Sequence, residues 1–106
     1  MQKVILVLED EKGKAVEYKQ VGVKARILKD IMMFSAKAEK GDFDGGEYEM
    51  IQEMVELVAK VFQDPKVTAD AIYDGLYAHE LFPTLQGVLE QVMGGLYTDE
   101  EIKEGK

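Results

Sequence analysis

The chain contains no cysteine, one histidine (His79), one serine (Ser35) and two prolines among its 106 residues. Without cysteine there are no disulfides and no thiolate metal sites, and a reducing cytosolic setting is permitted. A single histidine excludes every two-histidine metal motif. His79 stands beside Glu80 near an expected helix start, where a surface or capping role is the simplest reading. Ser35 falls on the apolar side of a helical pattern, where a small residue eases packing, so a serine-based triad has no suitable nucleophile. No phosphate-cradling or dinucleotide-binding glycine pattern is present. The longest apolar run, Val4–Leu8, is far too short to span a bilayer. The N-terminus lacks the longer apolar stretch and small-residue cleavage site of a signal peptide. A soluble cytoplasmic protein is the expectation.

What is present is a globular composition, 46% hydrophobic and 32% charged, with a net charge of −8. The length fits one domain, 1–106, able to bury a core without covalent staples. Charge is unevenly spread. Residues 23–40 carry five bases (Lys24, Arg26, Lys29, Lys37, Lys40) against two acids, whereas residues 41–64 carry seven acids against Lys60. The acidic balance disfavours nonspecific binding to nucleic acid or anionic membranes. The basic stretch reads first as a solvated helix face and second as a surface for an acidic partner or for another copy.

Residues 3–9 and 15–19 are β-rich runs around Gly13, which predicts a hairpin over about 3–19. The first run is continuously apolar, so both of its faces are expected to be covered, or it pairs in an oligomer. From Val23 the spacing turns helical, over about 23–94. Ile27, Leu28, Ile31, Met32, Phe34, Ser35 and Ala38 form the first apolar stripe, ended by Gly41. A second helix is expected after Asp44-Gly-Gly-Glu47, with Asp44 as its cap, Tyr48, Ile51, Met54, Val55, Val58, Val61 and Phe62 inward, and Asp64-Pro65 as its stop. Thr68 caps a short third helix, and Gly75 is assigned a left-handed turn after it. In the fourth helix Leu81, Leu85, Val88, Leu89 and Val92 face inward. Pro83 belongs in its first turn or at a break, and Gly94-Gly95 closes it. The tail over 96–106, with a small cap at Thr98-x-x-Glu101, is expected to fray. The fold class is therefore α+β, predominantly α: a short N-terminal hairpin followed by about four helices in one domain.

Chemistry-bearing patterns are few. Asp42, Asp44 and Glu53 fall at calcium-loop spacing, but Gly46 and Glu47 occupy the positions that need a ligand and then a glycine. A helix start with acidic first-turn residues accounts for them better. No catalytic residue, cofactor site or metal site is assigned. Among the six methionines, Met32 and Met54 fit core stripes, while Met33 and Met50 fall toward helix edges, where an adaptable partner surface is possible. Tyr73 and Tyr77 read as core or corner packing. The candidate partner-binding residues are thus Lys24, Arg26, Lys29, Met33, Lys37 and Met50.

The order of elements carries a resemblance. The β-rich start, VKARILKDIMMFSAKAEKGD, EMIQEMVELVAKVF, the YDGL corner and LQGVLEQVMGG together resemble the tail assembly chaperones of long-tailed phages and prophages of Gram-positive bacteria, over about residues 3–95. The resemblance implies a non-enzymatic protein of the host bacterial cytoplasm, absent from the mature virion. It implies binding of the tape measure protein, recruitment of tail tube protein, and a longer frameshifted product in many members. Association of copies through the basic first helix and acidic surfaces would suit an extended client, making a homo-oligomer a further expectation. The alternative binding role is a small acidic adaptor or antitoxin-like inhibitor of a basic protein. The enzyme alternative, a small hydrolase or isomerase using unrecognised carboxylates, lacks a nucleophile, a metal set and a cofactor motif.

Overall fold

Asp10 reverses the chain. Its Oδ1 accepts the N–H groups of Lys12 and Lys14, both at 2.9 Å, while its own N–H donates to the Lys14 carbonyl. Gly13 supplies the positive φ of this turn. The flanking residues pair antiparallel as β1 (Lys3–Glu9) and β2 (Ala15–Val21), with Leu6 opposite Tyr18. Among the described residues four helices follow: α1 (Ala25–Lys40), α2 (Glu47–Val61), α3 (Ala69–Gly75) and α4 (Ala78–Gly94). This α+β, predominantly helical arrangement is seen in a computed structural model that describes residues 3–94. Gly95 and the tail over 96–106, with its Thr98 cap, lie outside the described residues.

The core joins one face of the hairpin to the helices. Val4, Leu6 and Leu8 of β1 meet Ile72 of α3 and Leu85, Val88 and Val92 of α4, with Val55 and Val58 of α2 and Ile31 of α1 completing it. α2 packs against each of the other helices. The apolar run of β1 is not covered on both faces: Ile5 and Val7 point outward, 37% and 47% exposed. Among the described residues Gln20 is the buried polar exception. Its Oε1 accepts the Gln63 N–H at 2.9 Å and its Nε2 donates to the Gly22 carbonyl at 3.0 Å, so a satisfied amide ties the end of the hairpin to the exit of α2.

Helix boundaries follow local chemistry, with several departures from the sequence reading. Gly41 is left-handed and caps α1, and the Thr68 hydroxyl accepts the Ala71 N–H at the start of α3, both as expected. Asp44 does not cap α2. The capping residue is Gly46, and Glu49 reaches back instead, accepting the Gly45 N–H at 2.8 Å. α2 ends at Val61, ahead of Asp64-Pro65, because Phe62 is already extended while its ring stays buried. Gly75 is not left-handed but is the last residue of α3. Pro83 lies inside α4, beyond its first turn. The proline removes one backbone donor, and the carbonyl it would have served belongs to exposed His79, where water can satisfy it.

Candidate functional site

The apolar stripes of three helices leave a gap where α1 and α4 diverge over α2. Ile31, Phe34, Ser35, Ala38 and Glu39 of α1 form one wall, and Phe82, Gln86, Leu89, Glu90 and Met93 of α4 form the other. Met50 and Met54 of α2 form the floor of this groove, which holds about 300 Å³. Phe82 is 41% exposed, so an aromatic ring stands at the mouth of a largely apolar trough. Glu39 and Glu90 give the rim a negative charge. Unbranched thioether side chains adjust to different shapes, so a groove with Met50, Met54 and Met93 can accept more than one apolar ligand surface. A trough of this kind between helices is the geometry that receives the apolar face of an amphipathic helix.

The candidate partner-binding residues distribute over four places. Met50 lines the groove. Met33, 61% exposed, borders a different cleft between α1 and α2 together with Lys37. There Lys37 donates to Glu53 at 2.7 Å and its ammonium lies 4.6 Å from the centre of the Phe43 ring. The bond to Glu53 outweighs desolvation and raises the Lys37 pKa above its ordinary 10.5. Lys24 and Arg26 border a small hollow at the start of α1, with Lys60 and Gln63 opposite. Lys29 is exposed on α1, away from these cavities.

Other side chains depart from their expected places. Met32 is 47% exposed rather than in the core, and Tyr48 is 77% exposed rather than on the inward face of α2. Tyr73 and Tyr77 are exposed, yet each tethers two elements: the Tyr73 hydroxyl donates to Gln52 of α2, and the Tyr77 hydroxyl donates to Glu9 of β1. Glu80 accepts the Tyr77 N–H at the start of α4, and exposed His79 stacks on the Tyr77 ring. Phe82 and Met93 are absent from the sequence-derived set. Their signal was the second stripe of α4, Phe82, Gln86, Leu89 and Met93, which follows helical spacing beside the core stripe.

Among the described residues no three histidine or carboxylate side chains converge to hold a metal ion, and no helix is long and apolar enough to cross a membrane. No curated protein and no solved structure matches the chain. A family model does match, along residues 1–106. The chain belongs to the phage tail chaperone protein family.

Proposed function

We propose that this tail chaperone is non-enzymatic and holds helical segments of the tape measure protein in the groove between α1 and α4. The observation that carries the reading is the methionine floor beneath Phe82. From Phe82 to Met93 the groove wall runs about 16 Å, roughly three turns of a bound helix. The client segment best suited to it has an apolar stripe flanked by basic residues that meet Glu39 and Glu90. Covering that stripe keeps a long, otherwise aggregation-prone helix soluble until tail tube protein gathers around it. The exposed cations Lys24, Arg26 and Lys29 are offered to acidic stretches of the same client, with Met33 and Lys37 bordering the adjacent cleft. The work takes place in the cytoplasm of a bacterial host, during growth of a phage or an induced prophage, and the chaperone is left out of the finished virion.

Co-expression with the tape measure protein of the same phage tests this. The client should stay soluble and co-purify. Phe82→Glu, which sets a third carboxylate against Glu39 and Glu90, should weaken that association by at least about tenfold, the effect of losing an aromatic anchor. Circular dichroism should remain native. A client equally soluble with and without the chaperone, with nothing co-purifying, sinks the reading. A Phe82→Glu protein that holds the client as well as the parent removes the groove from it.

A further inference from the structure

The open edge of β2 carries a charge pattern that is its own complement. The antiparallel ladder runs through Leu8 opposite Val16, Leu6 opposite Tyr18 and Val4 opposite Gln20, continuing from the bond between the Asp10 N–H and the Lys14 carbonyl. Hydrogen-bonded and non-bonded pairs alternate along such a ladder. The even-numbered residues therefore bond across the hairpin, and Ala15, Glu17, Lys19 and Val21 direct their backbone groups away from β1. For Ala15, Glu17 and Lys19 those outward groups have no partner among the described residues. The free edge of β1 differs. Its Ile5 N–H donates to the Gln91 side chain at 3.1 Å, and the α3–α4 corner lies against Glu9. Helices thus cover one edge of the sheet and leave the other open.

We propose that β2 pairs antiparallel with β2 of a second copy, across a two-fold axis through Tyr18, making one continuous sheet from two hairpins. The register follows from the strand itself. Only an axis at Tyr18 pairs the whole of Ala15–Val21, placing Ala15 opposite Val21 and Glu17 opposite Lys19 of the second copy. An axis at Glu17 or at Lys19 brings like charges face to face and leaves strand ends unpaired. Within one copy Glu17 faces Val7 and Lys19 faces Ile5, and neither charge makes an ion pair among the described residues. Across the axis both find a counter-charge, twice over. A long, unprotected edge is otherwise an aggregation liability, and pairing in a closed dimer removes it. This interface lies on the hairpin, and it does not rest on the groove reading.

Sedimentation of the purified chain tests it, at about 0.15 M salt, where repulsion between two acidic copies is screened beyond about 8 Å. The parent chain should pass from monomer to dimer as concentration rises. Glu17→Lys and Lys19→Glu each place four like charges around the axis and should weaken dimerisation by at least about tenfold. An equimolar mixture of those two variants should form the hetero-pair, and the double variant E17K/K19E should dimerise as the parent does. Glu17→Pro deletes an N–H that points to the open edge and spares the hairpin ladder, so it should be monomeric with native circular dichroism. A parent chain monomeric up to about 1 mM overturns the proposal. So do single reversals that dimerise like the parent, or a variant mixture that stays monomeric. If β2 instead receives an extended client segment, the chain alone stays monomeric, which is the first of these failures.

Discussion

Gly75 holds the last turn of α3 against the hairpin. A Cβ built there would lie 2.8 Å from the Leu8 Cβ and 3.0 Å from the Glu9 carbonyl oxygen, too close to a strand that cannot yield without moving its backbone. Gly75→Ala is therefore an overpacking change, expected to cost about 1–3 kcal/mol. Urea denaturation should show a lower midpoint with an unchanged slope. An unchanged midpoint would mean that the corner closes without glycine. The helix end expected at Gly75 is there, but close packing on β1 rather than a left-handed turn is what requires glycine. Local spacing reveals where a helix stops; it does not reveal which strand of the folded chain passes beside it. The same limit applies to Tyr48, whose period fits the inward face of α2 although no element reaches far enough to cover it.

At the scale of elements, the order of the strands and helices was legible because each carries its own period and its own stops. The hairpin follows from two β-rich runs around Gly13, and the α1 stripe closes at Gly41. The joints between elements were not legible, since they are made by side chains far apart in sequence. Three of those joints titrate at alkaline pH. The bond to Glu9 raises the Tyr77 pKa above its ordinary 10.0, partial desolvation does the same for Tyr73, and the bond to Glu53 raises Lys37 above 10.5. A raised folded-state pKa means that the protonated form is favoured by folding. The contribution is fully present below the unfolded-state values and is lost as pH rises through the folded-state ones. Thermal stability should therefore fall above about pH 10, and the Y73F/Y77F double variant should lose less over that rise than the parent, because two of its titrating tethers are gone. Equal losses in both proteins would show that these hydroxyls do not join the elements energetically.

For the whole molecule, the family was readable from the sequence because a pattern of elements spans nearly all of it. The groove was not, because it exists only where the stripes of α1, α2 and α4 fail to close on one another. Of the partner-binding candidates, Met50 lies in that groove, whereas Met33 and Lys37 border another cleft, since α1 turns different faces to the two sides. The sulfur chemistry of the groove has a consequence for oxidants. The chain has no thiol to intercept peroxide, so its thioethers are the sulfur it exposes. Half-buried Met50 and Met93 are accessible, whereas Met54 is 4% exposed. Sulfoxide formation makes such a side chain polar. Dilute peroxide should release a bound client from an intact fold, and methionine sulfoxide reductase should restore the hold. Peptide mass spectrometry set against client retention checks this, and full retention with Met50 and Met93 oxidised would refute it. A chaperone without a single cysteine would then still be sensitive to the redox state of the cell in which the tail is built.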